Sequence, residues 1–351
     1  MKQQKPHLFG LDNSNRDFIS QDSWGKNQFN SSFPASLCCF LHSKNEVANY
    51  LSIKKQSFIC QTIDIAKAFK INPLGRDTYF AFEATYTPFQ QYIIGALPRT
   101  DLVIQQKSTG QCLAGMEIKL TALPDNTTCH LAEKDYGSEI VVRPDTIVYL
   151  ACSIAQNLSS QLGEFIKPEQ EIEDWGNAHQ VIPFIPTILQ RLANLVKALE
   201  SKQSPFLLQP IWKTKGKSSQ LADHCLDVFF WSDAGFTYFI TEIANLSLNT
   251  NRITRQMRSA IWLYKMLLDI TINTRFNHKV IIDNLSYNTK NDKAFASSGN
   301  ITNKYMRCER LTHPKITKYE IKEIILGGGQ ELLSPERRFD AIIVNSPELF
   351  S

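Results

Sequence analysis

The stretch from residue 100 to residue 120 constrains the fold more than any other part of the chain. Thr100-Asp101-Leu102-Val103-Ile104 is β-branched and apolar, Lys107-Ser108-Thr109-Gly110 supplies turn residues, and Cys112 to Leu120 returns as a second extended run. Two such runs about so short a turn predict an antiparallel hairpin. With the turn centred between Ser108 and Thr109, Asp101 faces Met116 and Glu117 faces Thr100; a one-residue bulge brings Asp101 level with Glu117. Side chains alternate along a strand, so Glu117 and Lys119 share one face and Ile118 points to the other, into apolar packing. Two carboxylates and an ammonium then meet in one small site.

The rest of the chain supplies a folded surrounding for that hairpin. Its 351 residues are 43% hydrophobic and 21% charged, with Gly 15 and Pro 15 spread thinly, which excludes fibrous, collagenous and wholly disordered classes. The eight cysteines include no Cys-x-x-Cys pair and no Cys/His group at zinc-finger spacing, so they read as reduced, mostly buried thiols of a cytoplasmic protein. The N-terminus lacks the apolar core of a secretion signal, and nowhere do the ~18 apolar residues of a membrane span follow one another.

Three parts are expected: a polar arm over residues 1–36, a core over 37–170, and a helical or mixed part over 171–351, continuous with the core or separate from it. Helical periodicity is read from Pro34 to about Lys70, with Leu37, Phe40 and Leu41 on one stripe and a second candidate at Ile63, Ala66, Phe69 and Lys70, and Asn72-Pro73-Leu74-Gly75 ends it. The aromatic-rich run 78–97 fits either a helix or a strand. Ile140-Val141-Val142 reads as a strand, Thr146 to Leu162 as a buried helix, Ile185 to Leu199 as an amphipathic helix, and 286–303 as a mobile loop. The first half is therefore mixed α/β.

The net charge of +4 says little about an anionic partner, but its distribution says more. Lys213, Lys215 and Lys217 stand with Trp212 in one acid-free window; Arg252, Arg255 and Arg258 stand in another, at a three-residue spacing expected to share a helix face. These are assigned to DNA phosphates, which position a complex without specifying sequence. In the arm, Asn15, Arg16, Lys26, Asn27 and Asn30 are interleaved with Trp24, Phe29 and Phe33, and amide and guanidinium groups of this kind make bidentate contacts to base edges. The plainer alternatives are a solvated charged face and an irregular polar arm.

The hairpin constellation has a purpose in phosphodiester hydrolysis. Asp101, Glu117 and the Ile118 carbonyl are hard oxygen ligands suited to Mg²⁺, which keeps several waters. The metal would acidify a bound water and neutralise charge on the scissile phosphate; Lys119 would orient the attacking water and favour its hydroxide form. The bland alternative is a cross-strand ion pair on a solvated sheet. Gly327-Gly328-Gly329 lacks the Gly-Lys-Ser/Thr ending of a phosphate loop, which argues against an NTPase.

Asp101 with Glu117-Ile118-Lys119 resembles the PD-(D/E)XK nuclease signature. The longer string from Glu117 to Asp125, with Asn15-Arg16-Asp17-Phe18, Trp24-Gly25-Lys26-Asn27 and Ser31-Ser32-Phe33-Pro34, resembles type II restriction endonucleases of the HindVP/HgiDI kind. One departure is that Arg99 and Thr100 separate Pro98 from Asp101. The resemblance implies an α/β restriction-endonuclease-like fold, a mixed central sheet flanked by helices, with added DNA-recognition elements. It further implies a Mg²⁺-dependent homodimer cutting double-stranded DNA at a palindrome, GRCGYC for this kind, and a cognate DNA methyltransferase in the same system. Glu83 would correspond to an extra acidic metal ligand carried on a helix before the hairpin. The competing functions are a DNA-binding module with a non-catalytic nuclease-like fold and a structure-selective repair nuclease.

Overall fold

The computed structural model describes residues 13–15, 26–124, 139–169, 171–214, 221–289 and 294–298. Ten strands fall within them: β1 (Ala48–Lys54), β2 (Ser57–Ile63), β3 (Thr78–Ala84), β4 (Thr100–Gln106), β5 (Cys112–Ile118), β6 (Thr121–Pro124), β7 (Glu139–Val142), β8 (Pro205–Thr214), β9 (Leu221–Ser232) and β10 (Phe295–Ser298). The helices that matter here are α1 (Lys26–Ser43), α2 (Ile65–Phe69), α3 (Pro144–Leu158), α4 (Ile185–Leu199), α5 (Asp233–Asn245), α6 (Arg255–Asn273) and α7 (His278–Asn284).

Eight strands form one mixed sheet in the order β2-β1-β9-β8-β5-β4-β3, with β6 also on β8. β1 runs parallel to β9, β5 and β6 run parallel to β8, and the other pairs are antiparallel. The central strands read as nearly unbroken apolar runs: Phe206, Leu207, Leu208 and Val228 to Trp231 are all buried. That is the pattern of strands covered on both faces. One face carries α3, α4, α5 and α6, packed on Leu51, Val103, Leu207, Phe229 and Trp231. The other carries α1 and α2, with the Phe69 ring meeting Phe80 and Phe230. The expected sheet flanked by helices is therefore present.

Local chemistry sets the element boundaries. α3 starts with proline at its first position, where no N–H is needed, after Arg143 in extended backbone. In α4 the predicted stripe is buried at 185, 188, 189, 192, 195, 196 and 199. α5 is capped by Ser232 Oγ, which accepts from Gly235 N–H at 2.9 Å, and a Cβ on Gly235 would lie 2.9 Å from the Leu51 carbonyl oxygen, so only glycine lets α5 sit this close to β1.

Three expectations are corrected and one open alternative is resolved. Helical periodicity is not continuous from Pro34 to Lys70: α1 ends at Ser43, β1 and β2 form a hairpin about Lys55 and Gln56, at φ 50° and 60°, and only then does the second expected helix follow as α2. The polar arm does not extend to residue 36, because α1 starts at Lys26 and Ser31, Ser32, Phe33 and Ser36 are buried. Run 286–303 contains β10, paired with β7, and so is not wholly a loop. The run 78–97 resolves into β3 followed by a 3-10 turn at Thr87–Tyr92. Among the described residues no helix is long and apolar enough to cross a membrane. Cys38, Cys39, Cys60, Cys112 and Cys152 are free, and Cys60 is exposed. Gly327-Gly328-Gly329 lies outside the described residues.

Asp233, at the start of α5, is fully buried; its Oδ2 accepts from Ser153 Oγ at 2.7 Å and Asn157 Nδ2 at 2.8 Å. Burial pushes its carboxyl up to about 7 against the pull of those bonds and of Lys70. The fold thus favours the neutral acid, and ionisation costs stability progressively as pH rises from the ordinary carboxylate range to about 7. Asp233→Asn should remove that slope. Melting temperatures at pH 5 and pH 8 should differ less in the variant than in the parent chain; an unchanged difference would refute the assignment.

Candidate active site

The β4–β5 hairpin carries the bulge on which the sequence argument turned. Leu102 pairs with Met116, Val103 with Gly115 and Ile104 with Ala114, and the register shifts between Ile104 and Gln105. One step beyond Leu102, Asp101 therefore stands level with Glu117, not Met116. On its other side, the pairs Phe82–Leu102 and Ala84–Thr100 bracket Asp101 beside Glu83. Glu83, Asp101 and Glu117 thus form a row across three neighbouring strands. Glu83 lies on a strand, not on the helix implied by the resemblance, and its φ of 49° puts a kink in β3.

β5 is held from the other direction by β8. Glu117 pairs with Leu207, Ile118 with Leu208, and Lys119 N–H donates to the Leu208 carbonyl at 3.0 Å. The same offset reappears at Thr121 and Ile211, where β6 begins. Between them the ladder lapses beside Pro210, which has no N–H to give. Lys119 thus sits at the break between two paired stretches, its own N–H still bonded to β8.

Each carboxylate is tethered through one oxygen. Asp101 Oδ2 accepts from Ile118 N–H at 2.8 Å. Glu117 Oε1 accepts from Lys119 Nζ at 2.5 Å and from Thr146 Oγ1 at 3.2 Å. Glu117 is only 7% exposed and Thr146 is fully buried. Neither Asp101 Oδ1 nor Glu117 Oε2 takes a hydrogen bond from any described residue. Burial and the neighbouring Glu117 push the Asp101 carboxyl up to about 7; Lys119 and the Ile118 N–H oppose the shift, and Glu83 adds to it. Burial pulls the Lys119 ammonium down, but Glu117 and Asp101 outweigh it and hold it above its ordinary value. The site is therefore short of positive charge, with Lys119 firmly cationic.

The start of α3 belongs to this site, which sequence reasoning missed. Thr146 reaches Glu117, and one turn on, Tyr149 OH donates to the Pro98 carbonyl at 2.7 Å and accepts from Tyr86 N–H at 3.2 Å. Positions three apart share a helix face, so one face of α3 braces both ends of the constellation. Asp145 stands in the first turn of the same helix. Its carboxyl is raised by burial and by Glu117, against Arg143 and Lys119, so it lies within the same field. No sequence signal marks Thr146 or Tyr149, because the contacts span elements far apart in the chain. Tyr86 packs on β5, where a Cβ on Gly115 would come within 3.0 Å of it.

Among the described residues, no group of three or more His, Cys, Asp or Glu side chains is gathered closely enough to enclose a metal ion by itself. Two carboxylates with a backbone carbonyl nevertheless fit the donor set of Mg²⁺, which usually takes one or two carboxylates and keeps waters.

The family model for the HindVP restriction endonuclease matches residues 24–350. The chain belongs to the HindVP restriction endonuclease family. It is 56% identical over 348 residues to a Haemophilus influenzae protein named "Probable type II restriction enzyme HindVP", covering 99% of this chain and 95% of that one. It is 44% identical over 350 residues to "Type II restriction enzyme HgiDI" of Herpetosiphon aurantiacus, covering 99% and 97%. No solved structure matches.

Within this HindVP family member the expected DNA contacts fare unevenly. Arg258 is fully buried: its guanidinium donates to the Ser286 and Ala294 carbonyls and lies 4.5 Å from the Trp262 ring centroid. It is a structural arginine, and the expected three-guanidinium face does not exist, since Arg252 precedes the helix. Arg252 and Arg255 are exposed. Asn15 uses one donor and one acceptor of its amide on the backbone of Phe82, at 2.9 and 2.8 Å, which holds it against the sheet edge. Lys26, Asn27 and Asn30 lie in the first turns of α1 and Lys213 in β8, with their side chains outside the described residues; Arg16, Lys215 and Lys217 are outside altogether.

Proposed function

We propose that this chain is a Mg²⁺-dependent type II endonuclease that hydrolyses phosphodiester bonds of double-stranded DNA at a short palindrome, acting as a homodimer in the cytoplasm. The observation that carries this reading is the juxtaposition of Asp101 and Glu117 across the hairpin, with Lys119 bonded to Glu117, in a chain of the HindVP restriction endonuclease family. Asp101, Glu117 and the Ile118 carbonyl would hold the cation, with Glu83 adding negative charge from the neighbouring strand. When bound, Mg²⁺ supplies charge neutralisation at the phosphate and a more acidic water.

The protein's own groups do the remaining work. Ile118 N–H and Thr146 fix one oxygen of each carboxylate, so the other oxygens are presented without rearrangement during the reaction. Lys119 favours hydroxide over water as the attacking group and offsets charge that builds on the phosphate oxygens. Water adds at phosphorus as its proton passes to solvent, and the bond to the sugar oxygen breaks as that oxygen takes up a proton from solvent water, leaving a phosphate monoester and a sugar hydroxyl. No covalent enzyme intermediate is needed.

A palindromic site presents the same half-site twice, which suits two copies of one active centre related by a two-fold axis. The family resemblance points to GRCGYC as that site and to a cognate DNA methyltransferase that shields the host chromosome. Digesting DNA of known sequence in Mg²⁺ and mapping the fragment ends tests this. Discrete fragments ending at GRCGYC are expected. DNA retardation with no cleavage would instead favour a binding module, and preferential cutting of junctions a repair nuclease.

A further inference from the structure

Asn13-Ser14-Asn15 lies along the outer edge of β3. Phe80 N–H donates to the Asn13 carbonyl at 2.9 Å, Asn15 N–H donates to the Phe80 carbonyl at 3.3 Å, and Ser14 bridges Phe80 in parallel. The Asn15 side chain then supplies the next rung of the ladder. Its Nδ2 donates to the Phe82 carbonyl at 2.9 Å, and its Oδ1 accepts from Phe82 N–H at 2.8 Å. Asn13 is itself tied down, by Lys107 Nζ on its Oδ1 at 2.5 Å and by its own Nδ2 on the Arg76 carbonyl at 3.3 Å.

Two bonds from one planar amide fix both the place and the tilt of the peptide groups on either side of Phe82. The next residue is Glu83, whose positive φ puts it in a region that costs a non-glycine residue ~1 kcal/mol or more. Such a conformation persists only where its neighbours impose it. Beyond the kink, β3 still pairs with β4 at Ala84–Thr100, so the displacement is confined to the position beside Asp101.

We propose that Asn15 is a positioning residue for DNA cleavage: its amide clamps Phe82 and so imposes the kink that aligns Glu83 with Asp101 and Glu117, making Asn13-Ser14-Asn15 a support of the active centre. This rests on the nuclease reading above, and it replaces base recognition as the role of Asn15. Any substitution that removes the amide frees Phe82 at the sheet edge and lets Glu83 relax away from the row.

The test is a double-mutant cycle on the full chain with Asn15→Ala and Glu83→Ala, read three ways. These are the single-turnover cleavage rate in Mg²⁺, Mg²⁺ affinity by calorimetry, and DNA affinity without metal. Asn15→Ala alone should slow cleavage at least tenfold and weaken Mg²⁺ binding severalfold, with metal-free DNA affinity within twofold of the parent chain. In the Glu83→Ala background it should add less than a twofold effect on rate or Mg²⁺ affinity, because its route of action is gone. Should Asn15→Ala fold poorly, Asn15→Asp keeps the bond from Phe82 N–H and loses only the donor; the same masking by Glu83→Ala is expected. Effects that multiply across the cycle, a parental cleavage rate in Asn15→Ala, or weakened metal-free DNA binding with unchanged cutting of bound DNA would each overturn the proposal. Failure of the underlying nuclease reading is distinguishable, since the parent chain itself would then retard DNA without cutting it in Mg²⁺.

Discussion

Alanine at Lys119 is expected to lower the cleavage rate by about 10²–10³-fold or more, the scale of removing one group that stabilises developing charge. DNA binding without metal should change by less than about twofold, since one phosphate contact at most is lost. The reasoning is local. Lys119 is the cation bonded to Glu117, it is held above its ordinary pKa by two carboxylates, and the ladder lapses beside it at Pro210. Arginine at the same position keeps the charge but not the compact ammonium, and should recover little activity. Single-turnover assays paired with gel retardation in EDTA separate the two effects. A variant that cuts at the parental rate would remove the mechanism.

The second large effect couples loss of activity to gain of stability. Asp101→Asn should abolish detectable cleavage, because an amide is a poor Mg²⁺ ligand and its carbonyl carries no charge. The same change should raise thermal stability at pH 8. Burial and Glu117 lift the Asp101 carboxyl to about 7, so in the metal-free protein its ionisation is a cost that grows between the ordinary carboxylate range and about pH 7. Asparagine does not ionise. The variant should therefore melt higher than the parent at pH 8, by on the order of 1 kcal/mol of stability, and the gap should close toward pH 4. Scanning calorimetry in EDTA at both values checks the sign; a variant that is less stable at pH 8 would show that Asp101 is an ordinary structural ion-pair partner.

What could be read in advance follows from which contacts are local. The hairpin and the shared face of Glu117 and Lys119 were legible because a strand has a period of two and its turn residues lie between the runs. α4 was legible because seven buried positions recur at helical spacing. The β1–β2 hairpin was not, since its turn is Lys55-Gln56, neither of them glycine or asparagine, yet both at positive φ. Arg258 was misread because spacing along a helix does not say which face looks inward; the Trp262 ring and two carbonyls decide that. Within the site, the Glu-x-Lys pair could be found from sequence, whereas Thr146, Tyr149 and the role of Asn15 depend on α3 and the N-terminal segment arriving from elsewhere. A row across three strands is a property of register, and register is set by the bulge at Ile104–Gln105 that no single residue announces.

The position of β8 and β9 between β1 and β5 has a consequence for how the molecule comes into being. The strand carrying Glu117 and Ile118 finds its parallel neighbour only at Leu207 and Leu208, and β1 finds its own only at Phe229 to Trp231. A ribosome that has released the first two hundred residues has therefore delivered Glu83, Asp101 and Glu117 but not the strand against which β5 lies. Such distant pairings also form slowly. The frame that holds β5 and β1 in one sheet is complete only once the chain has been made as far as Ser232.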